Sequence, residues 1–311
     1  MKRIVIRVIT YNQENVIERA LNSILSQRKW GLYRVVVGDD CSSDRTWDIL
    51  NEFQKKYPDI VYIYRNETNL GIYGNISKTD SYLPEADLYG NLSGDDEYCE
   101  GYFKAVQKIV SDENIDTTKP IGIFSNWKTV SPDGHEEIYK QNLVLNDYKL
   151  ISLKIRGKIY SRSILVSKAV KEKYAPMILD RGLALSEGNY DLQSHLYIKK
   201  AYYIPRVTTI YYTDIGISTK LSRKHSDYFT TQFISMWEYF LEQYLETSED
   251  IHYAKYEIAK SKFYIKPTWR GIFEIIHHNE KGQLHRQKDK LFSRLHFYLY
   301  LAKYKFTNQS K

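Results

Sequence analysis

The first hundred residues alternate between two hydrophobic patterns. Residues 3–9, 33–37 and 60–64 are rich in β-branched and apolar side chains, a composition typical of strands that are buried on both faces. Residues 14–27 carry apolar side chains at helical i, i+3, i+4 spacing, and residues 44–57 form a second predicted helix. Strands separated by helices predict an α/β protein with a parallel sheet and right-handed crossovers.

The pattern changes beyond about residue 218. Residues 227–245 and 251–264 are long mixed segments that we interpret as helices, and Thr247-Ser-Glu-Asp250 separates them. Their dense aromatic side chains are typical of a helical core. We therefore predict two parts, an α/β domain over residues 1–217 and a C-terminal α-helical appendage over residues 218–311.

Polar clusters follow three of the predicted strands. Ligands of parallel sheets bind outside the carboxyl ends of the strands, so these clusters are expected to meet in one crevice. The clusters are Thr10-Tyr11-Asn12, Asp39-Asp40-Cys-Ser-Ser-Asp44 and Ser93-Gly-Asp95-Asp96.

The third cluster ends in consecutive carboxylates, Asp95 to Glu97. Adjacent carboxylates repel one another, and a cation usually offsets their charge. Oxygen ligands of this kind suit Mg²⁺ or Mn²⁺, which complete their shell with water and substrate phosphates. The alternative is a solvated acidic turn that caps the helix predicted from Cys99 to Val110. The two clusters upstream favour the metal site.

The second cluster contains a candidate nucleotide contact. Ser43 and Asp44 are interpreted as residues that cap the next helix, whereas Asp40 is placed to accept hydrogen bonds from a base or a ribose. The first strand is followed by Thr-Tyr-Asn-Gln-Glu rather than G-x-G-x-x-G, which disfavours a nicotinamide-type dinucleotide site, and no P-loop sequence occurs. We expect phosphate in this crevice to be held through a metal.

Composition and charge narrow the class of protein. Of the 311 residues, 42% are hydrophobic, and the two cysteines, Cys41 and Cys99, suit a reducing compartment. No signal-peptide pattern and no apolar run of about 18 residues is evident, so we expect a soluble, cytoplasmic protein.

The net charge of +7 is concentrated at the C-terminal end, where residues 284–311 hold seven basic side chains and one acidic side chain. A nucleic-acid-binding protein would be expected to carry its charge as a stripe on the core fold, so we predict no nucleic-acid partner. The tail has an apolar stripe at helical spacing. It is compatible with peripheral contact with an anionic membrane, and equally with a terminal helix packed on the protein.

Five motifs follow one another within the first 110 residues. They are Val8-Ile-Thr-Tyr-Asn12, Ser23-Ile-Leu-Ser-Gln27, Val37-Gly-Asp-Asp-Cys-Ser-Ser-Asp-Arg-Thr46, Asn69-Leu-Gly71 with Asn75, and Leu92-Ser-Gly-Asp-Asp96. Taken together, they resemble the family 2 glycosyltransferases. The resemblance implies a GT-A nucleotide-diphospho-sugar transferase fold, a Rossmann-like mixed sheet flanked by helices, which holds a nucleotide-sugar donor across its carboxyl edge.

The same resemblance assigns roles to individual residues. It implies that Asp40 contacts a uracil, that Asp95 lies near the ribose and the sugar, and that Asp96, with Asp95, binds the Mn²⁺ or Mg²⁺ ion. Two positions depart from the family pattern, since Ser93 replaces an acid and Cys41 a glycine. The full set of predicted donor-binding residues is Thr10, Tyr11, Asn12, Asp39, Asp40, Gly71, Asn75 and Asp95.

Sugar transfer also needs a general base, because the attacking acceptor hydroxyl loses its proton. In the resembling family this base is an acidic residue of an E-D or E-G-D motif, and the chain reads Glu187-Gly-Asn189-Tyr-Asp191. Asn189 cannot accept a proton. We therefore predict Glu187 as the base, with Asp191 as the alternative.

These inferences predict an inverting, metal-dependent glycosyltransferase of the hexosyltransferase type. Its donor is expected to be a UDP-sugar, and its acceptor a glycan or lipid-linked molecule in capsule, O-antigen or similar surface polysaccharide biosynthesis at the inner face of the cell membrane. Two other functions stay open at the level of sequence. One is a non-catalytic nucleotide-sugar binding protein, and the other is a nucleotidyltransferase.

Overall fold

Apolar β-branched residues form the centre of a mixed sheet. The computed structural model describes residues 1–141, 162–174, 195–213, 226–266 and 268–281. The described residues up to 213 belong to one compact unit, and those from 226 onward belong to a second. The boundary predicted at residues 217 and 218 falls outside the described residues and stays a prediction.

In the first unit, the elements alternate as the hydrophobic pattern predicts. In chain order they are β1 (Ile4–Thr10), α1 (Ile17–Leu25), β2 (Leu32–Asp39), α2 (Thr46–Lys56), β3 (Val61–Arg65), α3 (Gly71–Asp80), β4 (Leu88–Ser93), β5 (Glu97–Tyr98), α4 (Tyr102–Asp112), β6 (Ile121–Val130), β7 (Glu136–Tyr139), β8 (Ile164–Ser167), α5 (Lys168–Tyr174) and β9 (Lys200–Tyr212).

Four parallel strands, in the order β3-β2-β1-β4, form one half of the sheet. The register pairs Thr10 with Asp39 and Ile9 with Ser93, so the carboxyl ends of β1, β2 and β4 lie side by side. The three polar clusters therefore meet at one edge, as expected from the strand order. The apolar face of α1 is buried in the core of this unit.

The other half of the sheet mixes strand directions. Strand β8 is antiparallel to β4 and to β6, whereas β6 and β9 are parallel to each other. Strand β9 in turn pairs antiparallel with the short strand β5, with Glu97 opposite Ile210. This pairing brings the last residues of β9 beside the carboxylates that follow β4. The predicted mixed α/β sheet is confirmed.

The second unit consists, over its described residues, of α6 (Ser226–Gln243), α7 (Ser248–Ile265) and α8 (Trp269–Lys281). The Thr247 side chain caps α7 by accepting a hydrogen bond from the Asp250 N–H at 3.2 Å. Phe263 of α7 and Ile272 of α8 belong to a separate apolar cluster.

The basic tail, residues 284–311, lies outside the described residues. None of the helices described here is long and apolar enough to span a membrane.

Candidate functional site

The Asp40 carboxylate, just beyond β2, organises one side of the crevice. Its Oδ1 accepts hydrogen bonds from Asn66 Nδ2 at 2.9 Å and from the Leu70 backbone N–H at 2.8 Å. Asn66 also donates to Asn75 Oδ1 at 3.2 Å, and Asn75 Nδ2 donates to the Gly38 carbonyl at 2.8 Å. Asp40, Asn66 and Asn75 are all buried. This network fixes the carboxylate against the start of α3.

Asp39 has a different environment from Asp40. It is fully buried, and its carboxylate accepts hydrogen bonds from both the backbone N–H and the hydroxyl of Ser42. Arg65 Nε lies 3.2 Å from Asp39 Oδ2. Burial raises the pKa of Asp39, against the opposing effects of Ser42 and Arg65. The described partners of Asp39 are thus protein groups that shape the loop.

The loops after β1 and β2 are bound to each other. Asn12 donates its backbone N–H to Ser42 Oγ at 2.9 Å and accepts a hydrogen bond from the Ser43 N–H at 2.8 Å. The Asp40 N–H donates to the Thr10 carbonyl at 3.0 Å, and Tyr11 beside it is half-buried. Thr10, Tyr11, Asn12 and Asp40 therefore lie in a single cross-linked surface.

Three positions in this region, Asn12, Cys41 and Gly71, have left-handed backbone. Cys41 has φ of 63°, a conformation that favours glycine, which the resembling family has at this position. The substitution of cysteine for glycine therefore leaves the left-handed turn in place. Gly71 has φ of 74° at the first residue of α3 and lies next to Leu70, which Asp40 binds.

Asp95 and Asp96 form the acidic side of the crevice, between β4 and β5. Both side chains are buried. Asp96 Oδ1 accepts a hydrogen bond from the Tyr212 N–H at 3.4 Å, and Arg162 Nη1 lies 3.9 Å from Asp96 Oδ2. The predicted alternative, a solvated capping turn, is wrong, because the carboxylates are buried and α4 begins only at Tyr102, with no side-chain cap.

Arg19 of α1 joins the acidic turn to the end of β9. Its Nη2 donates to the Asp95 carbonyl at 2.6 Å, and its guanidinium carbon lies 3.6 Å from the centre of the Tyr212 ring. The Tyr212 hydroxyl donates to Glu97 Oε2 at 2.8 Å. Burial and Glu97 together raise the pKa of Tyr212 to about 12, so this hydroxyl is protonated at neutral pH.

The donor atoms of Asp95 and Asp96 fit a hard divalent cation. They supply adjacent, buried carboxylate oxygens, the ligands that Mg²⁺ and Mn²⁺ prefer. Among the described residues, no group of three or more His, Cys, Asp or Glu side chains could hold a metal ion. The carboxylate pair thus suits an ion that is bound jointly by the protein and by substrate phosphates.

The structure brings most of the predicted residues to one edge of the sheet, from Thr10 in the first loop to Asp96 after β4. Glu187 and Asp191 lie outside the described residues, so their roles stay predictions. Asn66 and Arg19 are two site residues that the sequence does not predict. Asn66 directly follows β3, and that position at a strand end is the signal that could have identified it.

Comparisons with known proteins identify a family and several relatives that this chain resembles in sequence. The model for glycosyl transferase family 2 matches residues 5–166, just over half of the chain. The processive diacylglycerol beta-glycosyltransferase of Mycoplasma pneumoniae is 29% identical over 117 residues, which cover 37% of this chain and 34% of that protein. The chain spans about a third of the length of the curated relatives that it matches over more than 100 residues.

Solved structures show the same fold at low sequence identity. Staphylococcus aureus TarS 1–349 in complex with UDP-GlcNAc has a TM-score of 0.59 and 16% identity, covering 89% of this chain and 79% of that one. The mannosyltransferase PcManGT of Pyrobaculum calidifontis, in complex with GDP-Man and Mn²⁺, has a TM-score of 0.54 and 12% identity, covering 98% and 86%. The fold is that of the GT-A glycosyltransferases.

Proposed function

Because this chain belongs to glycosyl transferase family 2, we propose that it transfers a sugar, with inversion at the anomeric carbon, from a UDP-sugar to an acceptor hydroxyl. The observation that carries the proposal is the convergence of the Asp40 network and the Asp95–Asp96 pair at one edge of the sheet. One region has the groups to bind a base, and the other has the groups to bind a metal and diphosphate.

The Asp40 network is suited to base recognition. Asn66 and the Leu70 N–H hold the carboxylate in place, so it is pre-organised before a ligand arrives. A uracil base offers an imide N–H, which a carboxylate accepts well. The loop of Thr10 to Asn12, bound to the loop after β2, would lie beside the same base.

Asp96 and Asp95 would hold Mg²⁺ or Mn²⁺ together with the donor diphosphate. Such an ion supplies Lewis-acid stabilisation of the charge that develops on the leaving nucleotide. Arg19 fixes the backbone carbonyl of Asp95, and the Tyr212 N–H fixes the Asp96 carboxylate, so the protein sets the positions of both ligands. The Mn²⁺ in the related mannosyltransferase structure supports this assignment.

The acceptor hydroxyl must lose a proton as it attacks the anomeric carbon. We propose that Glu187 accepts this proton as the general base, with Asp191 as the alternative base. For the acceptor itself, we propose a glycan or lipid-linked molecule of surface polysaccharide assembly, such as capsule or O-antigen. The name of the mycoplasmal relative, a diacylglycerol glycosyltransferase, supports a lipid-linked acceptor.

A thermal-unfolding experiment tests the donor site. The full chain and Asp96→Ala are heated with UDP, GDP, CDP and ADP, each with and without Mn²⁺. A ligand that binds only the folded state raises the unfolding midpoint. We expect UDP with Mn²⁺ to give the largest increase, and the increment due to metal to disappear in Asp96→Ala.

Asp112→Ala is the matched control, because Asp112 is an exposed carboxylate that pairs with Lys108 on α4. It should respond to UDP and Mn²⁺ like the native protein. If no nucleotide shifts the midpoint with or without metal, the proposed function is wrong. If UDP-sugars bind but neither hydrolysis nor transfer occurs, the chain is a non-catalytic nucleotide-sugar binding protein.

A further inference from the structure

Among the described residues, a second arginine besides Arg19 lies against the acidic turn. Arg162 is two residues upstream of β8, and its Nη1 lies 3.9 Å from Asp96 Oδ2. Its side chain is 33% exposed, whereas that of Asp96 is 6% exposed. The guanidinium therefore stands between a buried carboxylate and the solvent-facing side of the crevice.

Aromatic rings hold this guanidinium in place. Its central carbon lies 3.7 Å from the centre of the Tyr211 ring and 5.5 Å from that of Trp127. Trp127 is itself stacked on Tyr139, with ring centres 4.2 Å apart and planes within 8°. A guanidinium whose face is covered by rings presents its N–H donors at its edge, in the geometry that binds carboxylate or phosphate.

The charges of the site make an anionic ligand group favourable beside Arg162. Glu97 has its own cation, Arg19, at 3.9 Å. Arg162 lies beside the adjacent carboxyl groups of Asp95 and Asp96. A divalent ion bound by these carboxyl groups would repel the guanidinium, and an anion that contacts both the ion and Arg162 would reduce this repulsion. The diphosphate that shares this ion is that anion.

We propose that Arg162 is a catalytic residue that exchanges its contact with Asp96 for one with the diphosphate of the donor. The inference rests on the proposed function and adds the contact to the leaving group. In transfer, the anomeric C–O bond breaks and its electron pair passes to the β-phosphate oxygen. The acceptor oxygen forms the new bond, and its proton goes to the general base. Charge-assisted hydrogen bonds from Arg162 favour the more highly charged leaving diphosphate.

If Arg162 has this role, Arg162→Gln should strengthen the binding of Mn²⁺ alone and weaken the binding of UDP. Without nucleotide, loss of the cation beside Asp96 should tighten Mn²⁺ binding by about two- to fivefold, the effect of a screened charge pair. With Mn²⁺ present, UDP binding should weaken by about tenfold or more, because a hydrogen bond to a charged group is lost. Uridine, which has no phosphate, should bind unchanged. If Arg162 were merely structural, its substitution would weaken the binding of Mn²⁺, of UDP and of uridine alike.

Calorimetric titration of the full chain with Mn²⁺ alone, with uridine, and with UDP in the presence of Mn²⁺ tests the inference. Arg162→Lys keeps the charge but loses the planar contact with Tyr211, so its UDP affinity should be intermediate. Lys128→Gln is the matched control, since Lys128 neighbours Trp127 in β6 but pairs with Glu136 at 2.6 Å. This variant should behave like the native protein.

The outcomes separate the two proposals. If the native chain binds neither Mn²⁺ nor UDP, the proposed function fails. If the native chain binds both and Arg162→Gln binds UDP equally well, Arg162 does not contact the diphosphate. Loss of uridine binding in Arg162→Gln, or weaker binding of Mn²⁺ alone, would equally overturn the role and make Arg162 a structural residue.

Discussion

The substitution Asp40→Asn replaces one carboxylate oxygen by an amide nitrogen and so tests the proposed contact with uracil. In Asp40→Asn, the amide oxygen can still accept the hydrogen bonds from Asn66 and the Leu70 N–H, while the amide nitrogen takes the place of the second carboxylate oxygen. That nitrogen cannot accept the imide N–H of uracil. We expect UDP binding to weaken by about tenfold to a hundredfold, the usual range for a hydrogen bond to a charged group, without loss of the fold.

Calorimetric titration with UDP measures this loss, and Asp44→Asn provides the comparison. Asp44 accepts hydrogen bonds from the backbone N–H groups of Thr46 and Glu14 in the same loop, so its substitution perturbs the loop without removing the proposed base contact. Equal UDP affinity in Asp40→Asn and the native chain would contradict the assignment of Asp40.

A buried ion triad makes a prediction about stability. Asp80, at the end of α3, accepts hydrogen bonds from Arg7 Nη1 and from Lys171 Nζ, each at 2.7 Å. Burial acts to raise the pKa of Asp80, but the two cations outweigh it, and the pKa lies below the ordinary value of 3.8. Asp80→Asn would leave two cations without this carboxylate, and we expect a loss of about 3–5 kcal/mol in the free energy of unfolding.

The pH dependence of this loss has a definite sign. Because the pKa of Asp80 is lowered by folding, its contribution is fully present above 3.8 and disappears as the pH falls below that value. Urea unfolding of the native chain and of Asp80→Asn should therefore differ by a constant amount near neutral pH. The difference should shrink in acid. A difference that grows on acidification would contradict the charge assignment.

Residues of the site differ in how visible they are in the sequence. Asp40, Asp95 and Asp96 follow apolar strands directly, and the strand pattern alone places them at the crevice. Arg19 lies on α1, where helical spacing distinguishes an apolar face from a polar face but does not indicate that a polar residue reaches Asp95. Its role depends on how α1 packs against β5, a contact that the local pattern does not predict.

At the scale of elements, Gly38 of β2 connects the sheet to α3. A Cβ at this position would collide with the hydroxyls of Tyr64 and Thr79, which are hydrogen-bonded to each other at 2.6 Å. The Tyr64 hydroxyl also donates to Asn75 Oδ1 at 3.0 Å. We expect Gly38→Ala to cost about 1–3 kcal/mol of stability and to weaken UDP binding, because Asn75 supports the Asp40 network.

Gly90→Ala is the matched control for this change. Gly90 lies in β4, in the same half of the sheet as Gly38, and a Cβ there would collide with the apolar side chain of Leu165. We expect a comparable loss of stability with unchanged UDP affinity. Chemical unfolding and UDP titration of both variants measure the two effects. If both variants lose UDP affinity equally, the effect of Gly38 is general destabilisation.

A group of histidines between α7 and α8 predicts that acid lowers the stability of this unit. His278 Nδ1 lies 3.0 Å from His252 Nδ1, and the ring of His277 is close to both. Burial lowers the pKa of His278 below its ordinary value of 6.5, aided by His252, His277 and Lys255 and opposed by Glu274. The folded helices therefore bind fewer protons than the unfolded chain as the pH falls below 6.5, so acid should destabilise this unit.

Hydrogen exchange of α7 and α8 at pH 7.5 and 5.5 measures this effect. Protection should fall at the lower pH in the native chain, and the fall should be smaller in His278→Gln, which has no proton to gain. An equal fall in both proteins would show that His278 is not responsible.

The sequence predicts the elements better than their pairing. The first three strands and two helices lie within a few residues of the predicted bounds, because each has its own hydrophobic period. The order of the remaining strands is not visible in this way. Strand β9 pairs with β6 across about 80 residues and, through β5, reaches the acidic turn. These pairings depend on long-range packing, so the sequence alone does not place Tyr212 and Arg162 beside Asp96.

At the scale of the whole molecule, most of the net charge lies at the C-terminal end of the sequence, whereas the predicted donor-binding residues lie in its first 110 residues. Of the net charge of +7, residues 284–311 contribute seven basic side chains against one acidic side chain. A lipid-linked acceptor would place the enzyme at a membrane surface. An anionic surface attracts basic segments with about 1 kcal/mol per nearby Lys or Arg, so we predict that a segment with this charge binds such a surface.

Removal of this segment provides the last test. We expect the full chain to sediment with vesicles that contain phosphatidylglycerol but not with pure phosphatidylcholine vesicles, and to be released at high salt, because salt screens surface charge. A chain that ends at Gln283 should stay in the supernatant, while its UDP-sugar hydrolysis matches that of the full chain. If the shortened chain still sediments, another surface binds the membrane. If neither chain binds, the packed-helix alternative for the tail is favoured, and the acceptor must be sought away from the membrane.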